Sequence, residues 1–238
     1  ILLEPLMKAL AGSRRVIAPD TLGNGDSVPM RCEQPELVDY ADASVRVMDA
    51  LGLETVDIYG SHTGAHIAIE IAVARPDRVR SVVLDGVGMW AGAERQELLE
   101  QYAPAVQPDA YGSQMFWATQ FVRDQAWFFP HFRKDRLHNR GVGALSAETL
   151  HTMTVEVLKA LTTYHLAYRA VFRNPPHTRL PLVTVPTLVM ADRDDPLAPG
   201  CAEAAALLRE GRAKIVDGAT SAEGLQAKAE VIRQFLER

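Results

Sequence analysis

From Pro35 to Leu51, apolar Leu37, Tyr40, Ala41, Val45, Met48 and Leu51 recur every three or four residues, the spacing of an amphipathic helix, and Gly52 ends it. Thr55 to Tyr59 then predicts a short strand, Ala65 to Ala74 a mostly apolar helix, and Arg80 to Leu84 another strand. Alternation of this kind with short connections implies a parallel sheet with right-handed crossovers. Upstream, Ile1 to Leu10 has helical spacing, and Gly12-Ser13 stop that helix before a strand expected at Arg15-Val16-Ile17-Ala18. The alternation resumes late in the chain: Pro186 to Ala191 as strand, Cys201 to Arg209 as helix, Ala213 to Val216 as strand, Leu225 to Leu236 as helix. Between about Met89 and Leu180 it is interrupted by helical patterns at Glu94 to Tyr102, Gly112 to Phe129 and Ser146 to Phe172. Ser146-Ala147-Glu148-Thr149 has the form of a helix start.

One segment is more pointed than the rest. Val56 to Ala65 reads as a strand, a sharp turn bracketed by Gly60 and Gly64, and the start of a helix. That is the pattern of a nucleophile elbow, G-x-S-x-G, in which small residues let backbone close around a strained apex. Here the apex is His62.

Taken with two further motifs, the elbow resembles the α/β-hydrolase superfamily. Arg15 to Asp20 followed by Gly23-Asn24-Gly25-Asp26-Ser27 is similar to the family's strand and G-x-G-x-S loop, and Thr187 to Pro196 to the strand and loop that present the catalytic acid. The resemblance implies an α/β fold: a mostly parallel sheet flanked by helices, with residues 1–88 and 181–238 as core and 89–180 as an inserted helical cap. The family's N-terminal strands and its oxyanion loop would precede Ile1. Two departures stand out. Serine, aspartate or cysteine usually occupies the apex. The loop before the last helix usually supplies a histidine, whereas Val216 to Glu223 has none and offers Thr220 or Ser221.

An imidazole at a helix N-terminus favours its neutral, proton-accepting form. It works as a base only if its tautomer is fixed, and Asp195 is the expected orienter, with Asp85 a second candidate acid. Ser221 is a candidate hydroxyl for His62 to activate. Ser61 and Thr63, beside the apex, are assigned to ligand binding; Ser61, one residue off it, is expected to point away from the pocket and not to act as a serine nucleophile. His62, His66 and Glu70 are spaced by four, a weak metal-like pattern in which His66 reads better as a core histidine. Trp117 and Trp127 are expected to line an apolar pocket, while His131, His138 and His165 read as surface or packing residues.

Composition narrows the function classes. Thirty acidic against 25 basic residues give a formal charge of −5 over 238 residues, without the basic excess that would hold nucleic acid. Apolar runs are too short for a bilayer. Cys32 and Cys201 form no metal-ligand spacing, in keeping with a reducing, cytoplasmic compartment. Gly23-Asn24-Gly25 lacks a third glycine, so no nucleotide, flavin or metal cofactor is expected. The reading is a hydrolase of a small, partly apolar ester, amide or lactone-like substrate built on a His-Asp site, with homo-oligomerisation left open. The alternatives are a degenerate ligand-binding protein and a cofactor-free lyase or oxygenase on the same scaffold.

Overall fold

The computed structural model describes residues 3–218 and 221–237. In chain order its helices and strands are α1 (Glu4–Leu10), α2 (Leu37–Ala50), β1 (Val56–Ser61), α3 (Thr63–Ala74), β2 (Val79–Asp85), α4 (Gly92–Gln101), α5 (Ser113–Trp127), α6 (Ala147–Lys159), α7 (Tyr164–Arg173), α8 (Pro176–Arg179), β3 (Thr187–Asp192), α9 (Cys201–Ala206), β4 (Gly211–Val216) and α10 (Ala222–Leu236). The chain divides into two compact units. The first comprises residues 1–19, 37–89 and 175–238; the second comprises 20–36 and 90–174. The loop Asp20–Glu36 thus groups with the helical segment, although a division at 88/89 leaves it in the core.

The first unit carries a four-stranded, wholly parallel sheet in the order β1-β2-β3-β4. β2 explains why: Val79 and the run Ser81 to Asp85 are buried, the near-continuous apolar signature of a strand covered on both faces. α3 packs on one face, buried along Ala65 to Ala72. On the other, Leu6 and Leu10 of α1 and Ala229, Ile232 and Phe235 of α10 close over Val83, Leu188 and Met190. β4 is an edge strand and exposes Arg212 and Lys214, charges that discourage further pairing.

The expected strand at Arg15 to Ala18 does not form; these residues join no ladder, and Ile17 is exposed. A β-propensity run becomes a strand only beside a partner, and the β1 edge is not paired with it.

In the second unit the helical run 146–172 breaks at Ala160 to Thr163 into α6 and α7. The Thr163 hydroxyl bonds back to the Ala160 carbonyl at 3.2 Å and to Gly23 O, a local competition typical of threonine at helix ends. Ser146 caps α6 by accepting the Thr149 amide at 3.1 Å. The unit's core is aromatic: Tyr102 meets Phe129, His131, Tyr168 and Phe172 at centroid distances of 4.9–6.2 Å. Among the described residues no helix is long and apolar enough to cross a membrane.

Candidate active site

Parallel strands deliver their carboxyl ends to one edge of the sheet, where ligand sites of open α/β sheets lie. Here Ser61 lies opposite Asp85, Asp85 opposite Met190, and Asp192 opposite Val216, so the turns after β1, β2 and β3 emerge together. The first of these turns holds His62 at φ 50°, ψ −111°, the one positive-φ residue other than glycine among those described. Its amide donates to Asp85 O at 2.8 Å, and Ala65 N returns to His62 O at 2.9 Å. A strained apex held by neighbouring backbone is a mark of a functional turn.

The two bracketing glycines have different reasons. A Cβ on Gly60 would sit 2.2 Å from Gly64 O, whereas a Cβ on Gly64 would meet nothing within 4 Å. Gly60→Ala should therefore cost about 3 kcal/mol, because the clash is with backbone that cannot turn aside. Gly64→Ala should be neutral or stabilising by up to about 1 kcal/mol. Thermal unfolding of the two variants checks this, and equal losses would contradict it.

His62 and Asp195 meet as expected: Nε2 lies 2.8 Å from Asp195 Oδ2, with the histidine side chain 56% exposed and the aspartate 12%. Asp195 is itself fixed, its amide donating to Asp192 O at 3.0 Å and its Oδ1 accepting the Leu197 amide at 2.8 Å. A carboxylate only accepts, so Nε2 carries the proton and Nδ1 is left as the acceptor. Partial dehydration pushes the His62 pKa down. The hydrogen bond and charge of Asp195, aided by Asp85, outweigh it and hold the imidazole above the ordinary histidine value.

Ser61 departs from expectation. Its Oγ lies 3.0 Å from His62 Nδ1, so it does not turn away from the imidazole. Adjacent residues reach each other because the strained apex swings the His62 ring back over the end of β1. Ser221 is the second correction: it is the N-cap of α10, its Oγ accepting the Gly224 amide at 3.0 Å. Both ring nitrogens of His62 have other partners, which leaves Ser221 no place on the imidazole. Thr220, the other loop hydroxyl, lies outside the described residues.

Thr63 opens α3, where the amides of Thr63 and Gly64 have no intrahelical carbonyl. Asp85 is buried and taken by the Tyr59 hydroxyl and Lys228. The His62, His66, Glu70 run is divided among separate partners. His66 Nε2 accepts the Gly88 amide at 3.3 Å, and burial holds its pKa to about 4, so the ring is neutral. Glu70 takes a two-pronged bond from Arg179.

In the second unit, half-buried Trp117 stacks on Phe121 at 4.9 Å, and Trp127 lies under the Arg123 guanidinium at 5.2 Å. His131 is bonded to Tyr102 O and His138 to Asp135.

Three residues escaped the sequence reading. Gly86, at φ +73°, makes room for the pair: a Cβ there would lie 3.1 Å from His62 Nε2 and 3.4 Å from Asp195 Oδ2. Tyr59 shares the Ser61 face of β1 by the period of two, a signal present in the sequence. Lys228 was also visible, as a lysine on the apolar stripe Leu225, Ala229, Ile232, Phe235 of α10.

The fold has known counterparts. The family model for the alpha/beta hydrolase fold matches residues 3–219. RutD of Azorhizobium caulinodans, named for carbamate hydrolysis, is 30% identical over 207 residues, 82% of this chain and 69% of that one. The 2-hydroxymuconate semialdehyde hydrolase of Pseudomonas sp. CF600 is 44% identical over 81 residues, 34% of this chain and 29% of its own, so that match spans less than a third of the relative's length. Among solved structures, a thermophilic esterase from Thermogutta terrifontis superposes with a TM-score of 0.75 at 19% identity, covering 99% of this chain and 84% of that one, a likeness of fold. The chain belongs to the α/β-hydrolase fold family, and the relatives it resembles are named as hydrolases.

Proposed function

We propose that the protein hydrolyses a small, partly apolar ester, amide or lactone-like substrate, with Ser61, His62 and Asp195 as nucleophile, base and orienting acid. The observation that carries this reading is the continuous array Ser61 Oγ to His62 Nδ1 at 3.0 Å and His62 Nε2 to Asp195 Oδ2 at 2.8 Å. It has the order of roles of a serine triad, compressed so that nucleophile and base are neighbours in sequence. The name of one relative, a carbamate hydrolase, supports carbon–oxygen or carbon–nitrogen bond hydrolysis of a small molecule.

In this mechanism the Ser61 oxygen attacks the acyl carbon while its proton passes to Nδ1, and Asp195 stabilises the imidazolium. The proton then goes to the departing alcohol or amine, leaving acyl-Ser61. Water, deprotonated by Nδ1, releases the acid and restores the serine. Thr63 and Gly64 amides, at the positive end of α3, are the donors available to the developing oxyanion.

A fluorophosphonate probe should label one residue, mapped to Ser61 by peptide mass spectrometry, and His62→Ala should slow labelling by two or more orders of magnitude, on the order of what removing a base costs. Turnover of p-nitrophenyl esters that survives Ser61→Ala would reject the serine and return the role of nucleophile to water. Absence of both labelling and turnover would favour the non-catalytic ligand-binding reading.

A further inference from the structure

The turn that carries His62 is tied to a buried pair of opposite charges that the hydrolytic reading leaves unused. Asp85 ends β2 opposite Ser61, and its carbonyl accepts the His62 amide at 2.8 Å. The next residue, Gly86, runs so close to the imidazole that a Cβ on it would lie 3.1 Å from Nε2. The Asp85 carboxylate is thus one residue away from the backbone against which the ring rests. Lys228 of α10 closes an ion pair on Oδ2 of that carboxylate, the same oxygen that accepts the Tyr59 hydroxyl. The Asp85 and Lys228 side chains are only 4% and 13% exposed, so water and salt do little to screen them. Burial first, then the Asp85 charge, hold the Tyr59 phenol well above its ordinary range, which keeps that group neutral. The charges in the cluster are those of Asp85 and Lys228.

The balance between them matters because His62 already has one carboxylate. Asp195, 2.8 Å from Nε2, favours the protonated ring. A second, uncompensated carboxylate in this poorly hydrated setting would favour it further, and a ring protonated at working pH cannot accept the Ser61 proton. The Lys228 ammonium acts on the same ring in the opposite sense. Two apolar side chains in place of a buried ion pair often serve packing as well or better, so what this pair adds is its field at the His62 turn.

We infer that Lys228 is a positioning residue that acts through Asp85, cancelling the charge of that carboxylate so that Asp195 alone governs when His62 is free to act as a base. The inference rests on the hydrolase reading for its catalytic consequence, while the charge balance belongs to the folded chain with or without turnover. The groups facing His62 are Asp195 after β3, Asp85 at the end of β2, Lys228 on α10, His66 on α3 and Tyr59 on β1, with Cys201 of α9 near the two aspartates.

The test is the titration of His62 in the full chain, followed by NMR of labelled imidazoles and assigned among the seven histidines by the signal lost in His62→Gln. Lys228→Met keeps an apolar stem on α10 and strips Asp85 of its counter-charge. It should raise the proton affinity of His62 by about three- to tenfold, the effect of one nearby unscreened charge. Asp85→Asn keeps an oxygen to accept from Tyr59 and leaves the ammonium alone, so it should lower the affinity by a similar factor. With both substitutions together the affinity should return to within about twofold of the native value. Opposite signs are what a merely structural role would not give, because a loosened turn moves His62 the same way in both variants. No movement in either folded single variant, movement of both in one direction, or a shift that survives in the double variant would overturn the inference. The midpoint of kcat/KM against pH should follow, rising in Lys228→Met and falling in Asp85→Asn. Opposed titration shifts in a protein without turnover would sink the hydrolase reading alone; turnover that depends on Ser61, with the titration unmoved, would sink the Lys228 role alone.

Discussion

Asp195→Asn is expected to lower turnover by about 10⁴-fold while leaving the fold intact. Oδ1 of Asp195 accepts the Leu197 amide, and the asparagine must keep an oxygen there to avoid an N–H facing an N–H. Its amide nitrogen is then turned to His62 Nε2, where Asp195 Oδ2 now lies. A donor at that position forces the proton onto Nδ1, the nitrogen that must accept from Ser61. The ring remains in place but in the wrong tautomer. The pH dependence follows from the same geometry. His62 works as a base only when neutral, and its pKa is raised, so kcat/KM of the native protein should rise with pH through a midpoint above the ordinary histidine value. Without the aspartate charge, the dehydration that opposes it dominates, and the residual activity should rise at lower pH. Steady-state kinetics from pH 5 to 9 would measure both effects. An Asp195→Asn variant with native kcat/KM would exclude Asp195 from the site.

A loss of stability as large as that of Gly60→Ala is expected from Arg179→Ala. Arg179 Nε and a terminal nitrogen approach the two oxygens of Glu70 at 2.8 and 2.6 Å, and the Glu70 side chain is only 5% exposed on α3. Removing the guanidinium leaves a carboxylate inside the protein without its main counter-charge. The expected cost is about 3 kcal/mol, or roughly 10 °C in Tm for a chain of this size. Glu70→Leu with Arg179→Met should recover most of it, because both charges then leave together. Calorimetry of the single and double variants checks this; a single variant as stable as the parent would show that water or a neighbour satisfies Glu70.

What each level of description contributes is clearest at particular residues. The amphipathic stripe of α2, the buried run of β2 and the Ser146 cap follow from short-range rules, since periodicity and capping are decided within a few residues. The Gly60 to Gly64 turn and the Asp195 loop were legible for the same reason, and with them the α/β-hydrolase fold. Arg15 to Ala18 failed the same local test. Its residue types suit a strand, yet pairing is a property of two segments and one segment cannot declare it.

The chemistry lay between these extremes. His62 and Asp195 could be matched in advance because a parallel sheet brings the carboxyl ends of β1 and β3 to one edge, across β2, but the direction of Ser61 could not. That direction depends on the positive φ of a strained apex, which turns the ring back toward the preceding residue. Ser221, by contrast, is spent on a helix terminus, a competing use that any serine before a helix can adopt. Lys228 and Asp85 are 143 positions apart and joined only where α10 packs on the sheet. The sequence by itself determined most of the elements, their parallel arrangement and the residues at the strand ends. Only the tertiary structure decided which polar groups share a proton, because a hydrogen bond depends on distances of a few tenths of an ångström set by the whole packed core.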